Sequence, residues 1–212
     1  NKILVHGGGK LATNMARQLG VEQQMINGRR ITDTATLKIV TMVYAGYINK
    51  NLVAALNAKG ATSIGLTGAD GQLMRAHQRK HPTIDYGWVG DIDAVNTDFL
   101  QTLLSNRLLP IIAPITCDTT GQLLNTNADT IAATIAASLA EKHQVELVYA
   151  FEHGGVLRDM KDSASVIHAI NRQFCQQLLA DQVISGGMLP KLENAFQTLK
   201  KGVQKVIIGD AT

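Results

Sequence analysis

Three glycine clusters hold the residues best suited to chemistry. His6-Gly7-Gly8-Gly9 follows the apolar run Ile3-Leu4-Val5 and opens directly into a helical pattern. Gly68-Ala69-Asp70-Gly71 follows a second apolar run, and Gly186-Gly187 precedes Met188-Leu189-Pro190-Lys191. A strand, a glycine turn and a helix N-terminus make an anion site, because free backbone N–H groups and about half a unit of positive dipole charge converge there. Glycine removes the Cβ that would keep a ligand off the backbone. An ordinary tight βα turn accounts for one such cluster, but three consecutive glycines exceed what a turn needs. Several of these loops at one sheet edge would form a cleft rich in N–H donors, where positioning and charge neutralisation can drive phosphoryl transfer. The usual nucleotide signatures GxxxxGK[ST] and GxGxxG and the protein-kinase HRD and DFG do not occur.

Other polar clusters carry side chains suited to such a cleft. Arg29 and Arg30 offer guanidinium groups, which match carboxylates in a bidentate way. The two neighbours leave a one-residue ambiguity; spacing from Gly28 favours Arg30, and a solvated loop pair is the bland alternative. Asn125-Thr126-Asn127-Ala128-Asp129 precedes a helical pattern. It reads as an N-cap with an acidic first turn, or as Asn127 capping while Asn125 and Asp129 face the cleft. Lys191 follows Pro190 at a helix start, where a cation opposes the dipole, which favours a functional reason for it. His77 and His81 are four apart, but Pro82 follows and no Cys or carboxylate completes a ligand set, so no metal site is expected. His6 reads as structural, its ring bonding nearby backbone.

Strands and helices alternate along most of the chain, which predicts an α/β fold with a mainly parallel sheet covered on both faces. Ligands in such sheets sit at the strand C-terminal ends. Leu11, Ala12, Met15, Ala16 and Leu19 share one helical face, and Gly20 ends it. Val21 to Arg30 reads as a polar loop or hairpin. Thr32 reads as the N-cap of one long helix from about Asp33 to Lys59, with Gly46 inside it at a cost of about 1 kcal/mol unless close packing needs it. Strands are predicted over 62–66, 85–96, 108–115, 145–151 and 203–208, with a hairpin beginning at 73–76. Helices are predicted from Phe99 to Leu104, from the Asn125–Asp129 run to about Lys142, from Ile167 to Leu178, and from Leu192 to Leu199.

Composition bounds the function. The chain has 212 residues, 45% hydrophobic and 17% charged, with a net charge of +3, too weak to argue for nucleic acid. Aromatic residues make up 4%, too few for a base-stacking platform. No run of about 18 apolar residues occurs, so no membrane contact is expected. Cys117 and Cys175 form no CxxC and read as buried free thiols of a reducing, cytoplasmic compartment.

Taken in order, His6–Gly9, Gly28–Asp33, Asn49-Lys50, Gly65–Asp70, Gly87-Trp88-Val89-Gly90, Asn125–Asp129 and Gly186–Lys191 resemble the N-acetylglutamate kinases of the amino-acid kinase family over nearly the whole chain. The resemblance implies a three-layer αβα sandwich, the amino-acid kinase or carbamate kinase-like fold. It also implies transfer of the γ-phosphoryl of ATP to the side-chain carboxylate of N-acetylglutamate, in arginine biosynthesis, with Mg2+ carried by the nucleotide. Gly8 and Gly9 would offer N–H groups to the acceptor and the moving phosphoryl, with Gly7 and Gly187 on the nucleotide side. Arg30 would clamp the substrate α-carboxylate, and Asn125 would bond its α-substituents. Asp129 would hold catalytic lysines by charge pairing, and Lys191 would neutralise the phosphoryl. A substrate lobe over 1–142, a nucleotide lobe over 143–212 and a homodimer or higher homo-oligomer follow from the same resemblance.

Two departures stand out. The family carries a lysine in a Lys-Leu-Gly-Gly-like motif on a strand ahead of Ile3, and no internal Lys-x-Gly-Gly replaces it. The sequence therefore predicts a single amino-acid kinase domain lacking its first strand and its C-terminal end, with a non-catalytic regulatory member as the alternative. Second, Ala150-Phe151-Glu152-His153-Gly154-Gly155 stands where the family has a Thr-Asp pair, which resembles a divergent subgroup that can take N-succinylglutamate. Glutamate 5-kinase and aspartokinase fit the run from Asn125 less well. An α/β-hydrolase would need a GxSxG elbow, and Ser185 lacks its first glycine.

Overall fold

A computed structural model describes residues 1–26, 29–151, 155–159, 162, 164–181, 183 and 188–210. The chain divides into two compact units, Asn1–Ile131 and Ala132–Thr212.

In the first unit, β1 (Leu4–Val5), β7 (Leu109–Ile112) and β4 (Ser63–Leu66) form a fully parallel sheet with β7 central. Ile111 and Ile112 are fully buried, as expected for a strand covered on both faces. The connecting helices are α1 (Gly9–Gln18), α2 (Thr34–Thr41), α3 (Asn49–Ala58) and α4 (Thr97–Ser105). Helix α3 packs on β4 and β7, and α4 on β7. A hairpin of β2 (Met25–Ile26) and β3 (Arg29–Arg30) precedes α2. A second sheet has the order β6 (Gly90–Val95), β5 (Met74–Gln78), β8 (Ile115–Cys117), β9 (Leu123–Asn125), antiparallel except between β5 and β8. In the second unit β10 (Glu146–Phe151) pairs in parallel with β11 (Lys205–Asp210), accompanied by α6 (Arg172–Ala180) and α7 (Met188–Lys200). The unit boundary falls inside α5 (Ala128–Ala140). The fold is α/β, with parallel strands at the centre of each unit.

Several predicted elements are corrected. The apolar run 108–115 is two strands in two sheets, β7 and β8. Pro114 lies between them and has no N–H for a ladder, and the Ile115 N–H folds back to the Ala113 carbonyl at 2.8 Å. The long helix is α2, a π-helical segment Met42–Ile48, and α3. Its cap is Asp33, whose carboxylate accepts from the Thr36 N–H at 2.7 Å; that bond, with the Thr36 hydroxyl, holds the Asp33 pKa below its ordinary value. Among the described residues, no atom beyond its own helix backbone lies within 4 Å of the place a Cβ would take on Gly46, so close packing does not explain it. Leu11 and Leu19 are exposed while Ala12 and Ala16 are fully buried, so the buried stripe of α1 is narrower than its periodicity suggests. The strand expected over 85–96 begins only at Gly90, and both Tyr86 and Val89 before it are buried. Ile167 and Ile170 precede α6, which Asn171 caps, and they pack from outside any helix against Val156, Cys175, Leu178 and Leu192. Cys175 is buried, but Cys117 is only half-buried.

The helical run Thr34–Ala58 is 25 residues long with a mean hydropathy of 1.2 in its most apolar window, enough by length and composition to cross a membrane. Here one face of it is core. Leu37, Ile39, Val40, Val43 and Tyr44 pack with Ala12, Ala16, Ala113 and Ile115.

Candidate active site

The glycine turn leaves β1 at its C-terminal end, and the His6 N–H still bonds the Ile112 carbonyl of β7 at 3.2 Å. The turn runs into α1 with Gly8 at the N-cap, a residue with no side chain to cap the helix, and no acid in its first turn. The N-cap residue itself therefore brings no side chain to the start of α1, which suits an anion site. A Cβ on Gly8 would press into Ile48 Cδ1 and come within 3.0 Å of the Tyr44 ring. Gly8→Ala is thus expected to destabilise the fold by about 1–3 kcal/mol through overpacking. Urea unfolding should show a lowered midpoint, and Ile48→Val, which lacks Cδ1, should recover part of it.

Beneath the turn, His6 is held in one tautomer. Asn49 is buried and its Nδ2 donates to the Ile111 carbonyl at 2.9 Å, while Lys50 Nζ donates to its Oδ1 at 3.1 Å. This fixes the amide, so Nδ2 presents a donor to His6 Nε2 at 3.2 Å. His6 Nε2 must accept, which places the ring proton on Nδ1, donating to the Gly7 carbonyl at 2.8 Å. Burial lowers the His6 pKa, against the raising effect of the Gly7 bond. With Nε2 accepting and Nδ1 donating, the ring serves the structural role read from the sequence.

A cavity of about 280 Å³ opens at this turn. Its walls bring together Gly7, Gly8, Gly9, Arg29, Arg30, Tyr44, Asn125, Asn127 and Asp129, with Met25, Val89 and Pro114 as apolar lining. Gly7, Gly8, Gly9, Arg30, Asn125 and Asp129, far apart in sequence, thus share one space within the first unit.

Both arginines reach the cavity, but they differ. Arg30 is 8% exposed, and its Nη2 donates to the Gly9 carbonyl and to Thr13 Oγ1, each at 3.0 Å. Its Nη1 donates to Gln23 Oε1. The guanidinium is therefore tied to the glycine turn itself. Burial raises the pKa of the neighbouring Tyr44, and the charge and hydrogen bond of Arg30 partly oppose that. Arg29 is less buried, and burial first, then the nearby Arg79 charge, lowers its pKa. Arg79 is itself paired with Asp91 and lies over the Tyr86 ring.

At the start of α5, Asn127 is the cap, its Oδ1 accepting from the Thr130 N–H at 2.9 Å. Asn125 and Asp129 line the cavity, so the divided reading of this run describes the geometry. Asn125 Nδ2 donates to Thr32 Oγ1 at 3.0 Å. Thr32 was legible in the sequence only as a helix cap; only β-pairing across the fold exposes its place beside Asn125. Tyr44, Thr13 and Gln23 were likewise not legible, since nothing local ties them to Arg30.

Lys191 lies in the second unit, the fourth residue of α7, in a first turn without acids. Gly187, Gly186, Gly28 and Glu152–Gly154 lie outside the described residues. His77 and His81 do not converge: His77 Nδ1 bonds Asp93 at 2.6 Å, while His81 packs edge-on against Tyr86. Among the described residues no group of three metal-ligating side chains is gathered.

A parallel sheet whose first βα turn is a glycine loop, beside a buried arginine bonded to that loop, defines an α/β protein with its cavity at the strand C-terminal edge. The profile of the amino acid kinase family matches residues 1–210, and the chain belongs to that family. Its sequence is similar to an acetylglutamate kinase from Phocaeicola vulgatus, 53% identical over 207 residues, covering 98% of this chain and 80% of the relative. A crystal structure of smu.665 from Streptococcus mutans superposes with a TM-score of 0.87 at 30% identity, over 99% of this chain and 82% of that one. The carbamate kinase of Giardia lamblia bound to AMP-PNP superposes at 0.61 with 15% identity, over 98% and 76%, a likeness of fold alone.

Proposed function

We propose that the chain is an ATP-dependent kinase that phosphorylates the side-chain carboxylate of N-acetyl-L-glutamate. A carboxylate oxygen attacks the γ-phosphorus, the bond from that phosphorus to the β,γ-bridging oxygen breaks, and ADP leaves with the electron pair. A carboxylate has no proton to lose, so the step needs no general base. What supports the reading is the single cavity that gathers the glycine turn, Arg30, Asn125 and Asp129, together with the kinship to an acetylglutamate kinase.

In this reading Gly8 and Gly9 offer N–H groups to the acceptor carboxylate and the moving phosphoryl, with Gly7 and Gly187 on the nucleotide side. Arg30 binds the α-carboxylate, and its bonds to Gly9 and Thr13 keep it in register with the turn. Asn125 bonds the α-substituents. Asp129 orders catalytic lysines, and Lys191 neutralises the phosphates. Mg2+ would be held chiefly by phosphate oxygens of the nucleotide. The first unit would carry the substrate and the second the nucleotide. A homodimer or higher homo-oligomer, a cytoplasmic location and a place in arginine biosynthesis complete the proposal.

The test is an ATP-dependent acyl-phosphate assay on the full-length protein, trapping product with hydroxylamine. N-acetylglutamate, N-succinylglutamate and free glutamate are compared. Turnover of N-acetylglutamate above the other two is expected. Absence of turnover with all three, with ATP still bound, would point to a non-catalytic member of the family.

A further inference from the structure

We propose that Thr32 is a positioning residue for the substrate side of the cavity, its hydroxyl setting which atom of the Asn125 amide is left for the substrate. The inference rests on the kinase reading above. Thr32 is fully buried, immediately before the Asp33 cap of α2. Its backbone is clamped on both sides: its N–H donates to the Tyr86 carbonyl at 3.0 Å, and its carbonyl accepts from the Trp88 N–H at 2.6 Å. These bonds form an isolated parallel bridge with Gly87. Gly87 has φ +65°, and a Cβ there would overlap the Thr32 carbonyl, its carbon lying only 2.8 Å away. Glycine is what allows the two backbones to approach this closely.

The hydroxyl then works as a one-way relay. Thr32 Oγ1 donates its single proton to the Arg30 carbonyl at 3.1 Å. Toward Asn125 it can present only lone pairs, so the amide must turn its NH2 group to it, at 3.0 Å. Asn125 Oδ1 accepts no hydrogen bond from any described residue, and Asn125 lines the cavity. The side chain is thus set as a hydrogen-bond acceptor, the role that an amide N–H of an N-acylated amino acid requires. The same hydroxyl bonds the backbone of Arg30, whose guanidinium is tied to Gly9. Thr32 therefore couples the two substrate-binding side chains to one buried oxygen, and neither contact is open to a residue without a hydroxyl.

The experiment compares Thr32→Val, which keeps the shape and removes the hydroxyl, with Thr32→Ser and with both changes combined with Asn125→Ala. Thr32→Val is expected to raise the KM for N-acetylglutamate by about tenfold, the size of one lost buried hydrogen bond, with kcat and the KM for ATP within about twofold. Thr32→Ser should return the KM to within about threefold of the parent. In the Asn125→Ala background Thr32→Val should have little further effect. An unchanged KM in Thr32→Val, an equal rise in both KM values, or a full effect persisting in Asn125→Ala overturns the proposal. If Thr32→Val does not fold, Thr32→Ala carries the same comparison. Failure of both to fold while Thr32→Ser is active would assign the hydroxyl to folding and overturn it as well. Loss of N-acetylglutamate turnover in the parent protein itself would instead refute the kinase reading.

Discussion

Replacing Arg30 by alanine should lower kcat/KM for N-acetylglutamate by roughly 10²–10³, chiefly through KM, and leave the KM for ATP nearly unchanged. Truncating one partner of a buried, hydrogen-bonded charge pair costs about 2–5 kcal/mol, and each 1.4 kcal/mol is a factor of ten. The loss has two sources. In the proposed role of Arg30 the substrate carboxylate would lose its cation, and the Gly9 carbonyl, Thr13 Oγ1 and Gln23 Oε1 lose their donor. The second source acts on the glycine turn, so kcat should fall as well, by a smaller factor. Arg30→Lys separates the two, because a lysine restores the charge without the fork that reaches Gly9, Thr13 and Gln23 together. It should recover part of KM and little of the kcat loss. Arg29→Ala serves as the comparison, since that side chain lines the cavity without these anchors. A loss larger in Arg29→Ala than in Arg30→Ala would reverse the assignment. Steady-state kinetics with each substrate varied in turn decides between them.

Lys191→Ala should lower kcat by about 10²–10³, the range for removing one donor aimed at charge that develops in the transition state. The KM for N-acetylglutamate should change by no more than about twofold. Stability separates this from a structural role. Lys191 stands in the first turn of α7, where a cation opposes the helix dipole. That contribution, about 0.3–1 kcal/mol, favours alanine, and the expected result is a Tm within a few degrees of the parent. A large fall in Tm together with the loss of turnover would make Lys191 a folding residue instead. Lys191→Arg keeps the charge and should retain more activity than alanine.

Much of this site is legible in the sequence because its parts are local. The run Gly7-Gly8-Gly9 after an apolar strand means the same thing wherever the chain puts it: backbone donors at a helix start. The Asn125–Asp129 run likewise carries its own geometry, since a cap at Asn127 places Asn125 before the helix and Asp129 in its first turn. Lys191 at a helix N-terminus is a local anomaly and could be singled out without a neighbour.

Errors in the sequence reading arose where a distant partner overrides a local signal. Thr32 and Asp33 are both good caps, and nothing local ranks them; the bridge to Gly87 draws Thr32 into backbone pairing and leaves Asp33 to cap. Leu108 to Ile115 is uniformly apolar, so periodicity could not show that Pro114 moves the chain from one sheet to another. Met42–Ile48 has an ordinary helical composition, yet it is π-helical and places Tyr44 and Ile48 against Gly8.

The sequence by itself therefore determined the class of fold, the glycine turn, a helix start at the Asn125–Asp129 run and the residue types available for anion binding, because each follows from backbone chemistry within a few residues. Only the tertiary structure decided that Arg30 rather than Arg29 is bonded to the turn, that Asn49 sets the tautomer of His6, and that Thr32 orients Asn125. Each of those depends on a buried polar group finding its partner across the fold, and the cost of leaving such a group unpaired is a property of the packed interior.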